Sequence, residues 1–249
     1  MSLGVTCLRF RHGTELMTAM PPALAIQDLH FSYGRDHFEI VVPSMQLAPA
    51  EQVLLTGGSG TGKSTILQLI AGLVDPQQGV VRVAGENMHA MRGAARDRFR
   101  GAHIGMIFQT FNLLQGFSAL ENVLAALMFS EMPKLSHRAR ARELLQSLGI
   151  ARPEALVETM SVGQQQRVAV ARAVACRPAL VLADEPTASL DPENSAAAIE
   201  LIQRTCSESG AALLCTSHDP AMKERFPRVE SLDALRRPVI AQVGAGAGA

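Results

Sequence analysis

Four glycines, four hydroxyl side chains and one lysine fill nine consecutive residues, Gly57-Gly58-Ser59-Gly60-Thr61-Gly62-Lys63-Ser64-Thr65. The stretch fits the pattern G-x-x-x-x-G-K-[ST], in which glycines let backbone N–H groups turn towards phosphate oxygens. In such a loop Lys63 reaches the β- and γ-phosphates of a nucleoside triphosphate, and the hydroxyl of Ser64 binds Mg²⁺. A bare glycine-rich turn is the alternative, but it needs neither the lysine nor a flanking strand and helix. The nine residues therefore predict a triphosphate-binding loop.

Two neighbouring carboxylates, Asp184 and Glu185, follow the apolar run 180–183. An acidic residue at the carboxyl end of a buried strand lies where an open α/β sheet binds its ligand. We expect Asp184 to bind Mg²⁺ or one of its waters, and Glu185 to activate the attacking water as a general base. The alternative is a strand-ending turn with two solvated acids. The phosphate loop earlier in the chain favours the catalytic interpretation.

Both sites depend on strands that end beside them. Residues 52–56 form a short apolar run directly before the glycine loop, and apolar residues recur at helical spacing over 65–72 directly after it. Apolar strand runs and helical patterns then alternate along the chain, at 103–108, 163–176, 180–184, 192–209 and 211–216. This alternation predicts a mostly parallel sheet with helices on both faces.

Two further regions complete the predicted fold. Strand patterns at 24–31, 38–47 and 80–85 indicate a small antiparallel β subdomain. Helical patterns at 118–130 and 136–148 indicate a helical subdomain of about residues 110–160, inserted within the α/β chain. The predicted fold class is α/β, with a phosphate-loop NTPase core, a helical subdomain insertion and a small antiparallel β subdomain.

The segment Met160-Ser161-Val162-Gly163-Gln164 and the helical pattern after it resemble the signature motif and helix of ATP-binding-cassette (ABC) ATPases. Other motifs of that family follow in order, namely the aromatic loop at Tyr33, the glutamine loop at Gln109, the D-loop at 189–191 and the switch histidine at His218. The resemblance covers about residues 23–232. Segments 108–114 and 118–123 resemble the lipoprotein-release, macrolide-export and cell-division branch of the family.

The resemblance implies roles for these residues. Tyr33 stacks on adenine, Gln109 contacts Mg²⁺ or the attacking water, and His218 bonds a phosphate oxygen. In the family two subunits meet head to tail, so that each ATP lies between one phosphate loop and the partner's signature. Four residues are expected to contribute to such a shared site: Ser161, Gly163, Gln164 and Asp191.

One residue departs from the usual signature L-S-G-G-Q, because Val162 replaces its first glycine. A β-branched residue fits there at little cost only if the backbone φ is already negative. We expect an active motif.

The resemblance also implies partners. We expect a homodimer, or a heterodimer with a related cassette, that drives a separate integral membrane permease from the inner face of the cell membrane. Residues expected to be exposed for a coupling helix are Phe111, Leu113, Leu114 and Phe117, with ordinary packing inside the insertion as the alternative. A cassette ATPase that transmits force to a membrane complex without transport, as in cell division, is the alternative function.

Composition sets limits on these interpretations. The chain has 249 residues, and its 23 Lys and Arg balance its 23 Asp and Glu, so no net field favours nucleic acid. The cysteines Cys7, Cys176, Cys206 and Cys215 lack C-x-x-C spacing, which fits a reducing cytoplasm and not a zinc site. No apolar run reaches a membrane-spanning length. We expect residues 1–22 to be a disordered tail or a misassigned start, and 233–249 to be a flexible tail.

Overall fold

The computed structural model describes residues 20–34, 39–188 and 190–235. The expectation of an N-terminal tail therefore lies outside the described residues for 1–19, and that of a C-terminal tail for 236–249. Ser189 of the D-loop also lies outside them. Residues 233–235, which the sequence assigned to the C-terminal tail, are helical.

The described residues form nine β-strands and seven α-helices. The strands are β1 (Leu24–Ser32), β2 (Glu39–Leu47), β3 (Gln52–Thr56), β4 (Gln78–Val83), β5 (Glu86–Asn87), β6 (Ile104–Ile107), β7 (Leu180–Asp184), β8 (Ala212–Ser217) and β9 (Arg228–Ser231). The helices are α1 (Lys63–Ile70), α2 (Gly93–His103), α3 (Ala119–Leu127), α4 (Lys134–Ser147), α5 (Val162–Val174), α6 (Pro192–Ser209) and α7 (Leu232–Leu235).

A parallel sheet of five strands, in the order β6-β7-β8-β3-β9, forms the centre of the fold. Because its strands all run the same way, their carboxyl ends meet at one edge. Four residues with predicted roles follow strands at that edge: Gly57, Gln109, Glu185 and His218. The sheet topology alone thus brings segments far apart in sequence to one place.

A second sheet, in the order β2-β1-β4-β5, is antiparallel throughout. It matches the small antiparallel subdomain expected from the strand patterns. Together with the central sheet and its helices, it confirms the predicted α/β fold class.

Side chains from the two faces of the central sheet enter two separate hydrophobic cores. In β3, Leu54 packs into the core beneath the helical insertion, whereas Val53 and Leu55 pack into the core shared with α1 and the antiparallel sheet. The same alternation holds in β7, where Val181 and Leu182 enter opposite cores. Successive residues of a strand face opposite ways, so a strand covered on both faces is apolar throughout.

The loop that joins the central sheet to the helical insertion is held in place by the buried side-chain amide of Asn122. Ser118 caps α3 and forms a reciprocal capping box with Glu121. One turn later, the fully buried Asn122 accepts from the Leu114 N–H at 2.7 Å and donates to the carbonyls of Leu114 and Ser118. The side chain therefore fixes residues 114–118 against the start of α3.

The prediction of an exposed coupling surface is wrong for two of its four residues. Phe111 and Leu113 are buried, at 7% and 8% exposure, because they pack into the core beneath the insertion. Leu114 and Phe117, at 44% and 47%, are exposed as expected. The apolar spacing of 111–117 did not reveal which of these residues the insertion covers.

Candidate active site

The glycine loop connects β3 to α1 through backbone conformations that favour glycine. Gly60 and Gly62 have φ values of 74° and 98°, and Gly62 caps the helix in the left-handed region. The first hydrogen bond of α1 runs from the Ile66 N–H to the Gly62 carbonyl at 2.9 Å. The N–H groups of Lys63, Ser64 and Thr65 precede that bond and take no acceptor from the helix, which leaves them available to an anion.

A cavity of about 410 Å³ opens beside this loop. Its volume lies within the range of small-molecule sites, roughly 300–1,000 Å³. The lining residues are Tyr33, Ser59, Gly60, Gly62, Lys63, Ser64, Thr65, Gln109, Asp184 and Glu185. All ten belong to the set predicted from the sequence. Gly57, Gly58 and Thr61 lie in the same loop, where the Thr61 hydroxyl bonds the Gly58 carbonyl at 2.8 Å.

The ammonium of Lys63 lies inside the loop and not in solvent. The side chain is 5% exposed, and Nζ donates to the carbonyls of Gly57 at 2.9 Å and Gly58 at 3.0 Å. Its third neighbour is the carboxylate of Glu185, at 3.2 Å. The positive charge is thus held at the cavity wall by three acceptors of the protein itself.

The two carboxylates at the end of β7 have different surroundings. Asp184 accepts from the Thr216 hydroxyl at 2.8 Å, because the parallel register pairs the two residues. Glu185 has a positive φ of 43°, and its N–H bonds the carbonyl and hydroxyl of Thr216 at 3.2 Å each. Thr216 therefore orients both acids, and sequence analysis gave it no role. The pairing of β7 with β8 is the signal that would have found it.

His218 lies against the side of Glu185 that Lys63 leaves open. Its Nδ1 is 2.8 Å from one carboxylate oxygen of Glu185, while Lys63 contacts the other. The sequence predicted a contact of His218 with phosphate and did not foresee this pairing. The carboxylate is consequently fixed from both sides at the mouth of the cavity.

The single tyrosine of the chain lines the cavity. Tyr33 is half exposed and packs edge-on against Phe31 of β1, with ring centroids 4.7 Å apart.

Gln109 enters the cavity from a strained turn after β6. Beyond Thr110, Phe111 and Asn112 have φ values of 57° and 46°. Such conformations cost about 1–3 kcal/mol each in residues other than glycine, and they persist where the surroundings enforce them. Arg172 of α5 donates to both of their carbonyls, at 2.7 and 2.6 Å. Burial lowers the pKa of this guanidinium.

The signature residues do not line this cavity. Ser161 caps α5 by accepting from the Gln164 N–H, and the Gln164 side chain accepts in return from the Ser161 N–H at 3.0 Å. Ser161, Gly163 and Gln164 are exposed to solvent. Asp191 caps α6 by accepting from the Asn194 N–H at 3.0 Å. These four predicted residues are therefore separate from the phosphate loop of their own chain.

Val162 is the first residue of α5, and its φ is not positive. Gly163, the following signature glycine, is also helical with no positive φ. Val162 therefore replaces the usual first glycine at a position whose backbone φ a β-branched residue can adopt.

A nucleoside triphosphate fits the chemistry of the cavity. Free N–H groups, a buried ammonium and an aromatic ring lie at the places where phosphate and base are bound in such sites. Among the described residues no three His, Cys, Asp or Glu side chains form a metal cluster. Mg²⁺ needs none, because one or two protein ligands and the substrate phosphates usually hold it. The Ser64 hydroxyl, Gln109 and Asp184 line one cavity and meet that need.

A parallel sheet whose carboxyl edge carries a glycine loop, a buried lysine and two acids defines a phosphate-loop nucleotide-binding protein. A family profile described as ABC transporter matches residues 42–188. The chain is 40% identical to the lipoprotein-releasing system ATP-binding protein LolD of Chromohalobacter salexigens over 193 residues, which are 77% of this chain and 81% of that protein. It is 39% identical to LolD 2 of Caulobacter vibrioides, over 85% of this chain and 94% of that protein.

Solved structures agree with the sequence relatives. The dimeric post-hydrolysis structure of the ATP-binding cassette MJ0796 bound to ADP and Pi superposes with a TM-score of 0.70 and 30% identity, over 84% of this chain and 93% of that chain. The chain therefore belongs to the ABC transporter family, as an ATP-binding and ATP-hydrolysing subunit. The resemblance to the lipoprotein-release branch is confirmed by the curated relatives.

Proposed function

We propose that the described cavity binds Mg²⁺ and ATP and hydrolyses ATP with Glu185 as the general base. The observation that carries this proposal is the convergence of Lys63, Gln109, Asp184 and Glu185 on one cavity beside a helix start. Bound Mg²⁺ supplies charge neutralisation between the β- and γ-phosphates. Lys63 and the N–H groups that begin α1 bind phosphate oxygens, while Tyr33 stacks on the base.

Glu185 is suited to its role by its position. Its carboxylate takes the proton of the attacking water, and the Thr216 contacts fix its backbone. His218 holds the carboxylate on one side and bonds a γ-phosphate oxygen when the triphosphate is present. Gln109 and Asp184, with Ser64, hold the metal and its waters.

We propose that the active form is a head-to-tail dimer in which the signature of one copy completes the site of the other. The exposure of Ser161, Gly163 and Gln164, and their absence from the cavity of their own chain, support this arrangement. Asp191 lies at the same interface. The dimeric structures among the related cassettes support it further. A homodimer is the simplest form, and a related cassette is the alternative partner.

Mixing two inactive variants tests the shared site. Lys63→Ala removes the loop lysine, and Ser161→Arg places a bulky charge at the signature. In a mixed dimer one site carries both changes and the other carries neither, so activity returns to about a quarter of wild type in an equimolar mixture. Either variant alone stays inactive. A mixture that stays inactive while both variants are folded contradicts the shared site.

We propose further that an integral membrane permease docks on a groove of about 260 Å³ between α2, α3 and α5. Apolar side chains line much of it, including Phe108, Ala126, Phe129 and Ala173. Among the described residues no helix is long and apolar enough to cross a membrane. The subunit would then be bound to the inner face of the membrane through its permease.

The similar lipoprotein-releasing system ATP-binding proteins favour lipoprotein release over force transmission without transport. Co-purification with a candidate permease that is expressed together with this chain tests the docking. Ala126→Arg, in the groove, abolishes capture, whereas Ala151→Arg, on an exposed loop, preserves it. Capture that survives Ala126→Arg rejects the groove. If ATP hydrolysis by the complex rises only when lipid-modified protein is added, that result supports lipoproteins as the substrate class.

A further inference from the structure

One arginine joins the helix that begins at the signature to the turn that carries Gln109. Arg172 lies eleven residues after Ser161, about 16 Å along α5 at 1.5 Å per residue. Its two terminal nitrogens donate to the carbonyls of Asn112 at 2.6 Å and Phe111 at 2.7 Å. Among the described residues Arg172 has no carboxylate within ion-pair distance, so these carbonyls are its charge-stabilising partners.

The turn that Arg172 holds is short and tightly closed. The Phe111 N–H bonds the Phe108 carbonyl at 3.1 Å, and the Asn112 N–H bonds the Thr110 carbonyl at 2.6 Å. The Thr110 hydroxyl donates to the Asn112 side chain at 2.9 Å. Gln109 lies between these contacts, with its side chain on the wall of the nucleotide cavity.

Positive φ at two adjacent non-glycine residues is maintained only where other contacts enforce it. For Phe111 and Asn112 the two charged hydrogen bonds from Arg172 are such contacts. A lysine has one rounded ammonium and cannot reproduce the planar fork that bonds two successive carbonyls. The residue type therefore matters at this position, beyond its charge.

We propose that Arg172 is a positioning residue for ATP hydrolysis, which sets the placement of Gln109 in the cavity and makes it follow the orientation of α5. Ser161 caps the start of α5. A shift in the position of the signature therefore moves the helix as a rigid body, and Arg172 passes that movement to the turn that carries Gln109. The same guanidinium lies in the wall of the groove proposed for the permease. The inference rests on the proposed role of Gln109.

Four variants test the proposal in the full-length protein: Arg172→Lys, Arg172→Met, Gln109→Ala and the double variant Arg172→Lys/Gln109→Ala. Displacement of a positioned group by about 1 Å lowers turnover up to about 100-fold, so we expect Arg172→Lys to lower kcat between about 10- and 100-fold. The Kd for ATP without metal stays within about twofold, because the phosphate loop is untouched. The Mg²⁺ concentration for half-maximal activity rises, since Gln109 no longer meets the metal correctly. Arg204→Met, an exposed arginine on α6, leaves kcat unchanged.

The double variant separates positioning from general support of the fold. If Arg172 acts through Gln109, Arg172→Lys lowers kcat no further in the Gln109→Ala background. If the kcat losses of the two single variants multiply in the double variant, the proposal is overturned. It is also overturned if Arg172→Lys has the kcat and the Mg²⁺ dependence of the wild type. Wild-type kcat in Gln109→Ala would instead reject the proposed role of Gln109 and the inference with it. If Arg172→Met fails to fold, Arg172→Lys with an unchanged melting temperature still decides the question.

Discussion

Replacing Glu185 by glutamine removes one charge from the wall of the cavity while keeping the shape of the side chain. This carboxylate contacts Lys63 at 3.2 Å and His218 at 2.8 Å. Two consequences follow from the one change. The proposed general base is lost, and the lysine loses the only charged partner among its three acceptors in the described structure.

The two effects differ in sign and size. Loss of a general base lowers kcat by about 10²–10⁴-fold, which raises the barrier by about 3–5 kcal/mol. Loss of the charge-assisted contact with Lys63 removes about 1.5–3 kcal/mol of stabilisation. A phosphate that binds Lys63 then no longer has to displace the carboxylate. We therefore expect Glu185→Gln to bind ATP at least as tightly as wild type, with an upper limit of about 100-fold tighter.

The assay combines phosphate release with nucleotide titration and size-exclusion chromatography. Glu185→Gln should release phosphate at less than about 1% of the wild-type rate and elute as a dimer in ATP and Mg²⁺. The matched control is Glu208→Gln, whose exposed carboxylate lies 3.8 Å from Arg204 in a surface pair and has no contact with the cavity. Steady-state hydrolysis equal to wild type refutes the base assignment, and weaker ATP binding refutes the argument from Lys63.

Three other substitutions probe separate parts of the structure. Lys63→Ala removes the proposed phosphate ligand and should weaken ATP binding by about 10- to 150-fold, measured by calorimetry; an affinity equal to that of the wild type contradicts the loop assignment. Val162→Gly restores the usual signature but places glycine in the first turn of α5, so the free energy of unfolding in urea should fall by up to about 1 kcal/mol without a gain in hydrolysis; a several-fold gain means that Val162 limits closure. Asn122→Ala leaves the Leu114 N–H and carbonyl unpaired in a buried site, so stability should fall by about 2–4 kcal/mol in urea denaturation; a loss below 1 kcal/mol shows that water replaces the amide.

Segments with strong periodicity or a motif were predictable from sequence. The strand–loop–helix around Lys63 and the helix Pro192–Ser209, with Asp191 before it and Gly210 after it, carry their own start and end signals. Strands β7 and β8 were visible as apolar runs because both faces of the central sheet are covered. Their place in a sheet covered by helices follows from the need to bury those runs.

Other features depend on tertiary contacts that no local pattern encodes. Strand β9, with the sequence Arg228-Val229-Glu230-Ser231, has no apolar run, and it forms because β3 offers a free edge. The burial of Phe111 follows from a left-handed turn held by Arg172, sixty-one residues away. The contact of His218 with Glu185 likewise arises where two strand ends meet. These features concern spatial neighbours, so spacing along the chain could not reveal them.

The three acceptors around the Lys63 ammonium imply that the pocket selects among anions. A lone tetrahedral ion such as sulfate or orthophosphate would have to outcompete two carbonyls and a carboxylate for that cation, with only its own four oxygens to offer. A polyphosphate chain compensates for the exchange by engaging the backbone donors at the start of α1 simultaneously. Abundant small anions should therefore inhibit this ATPase poorly, because the contacts of Lys63 discriminate by the length of the phosphate chain.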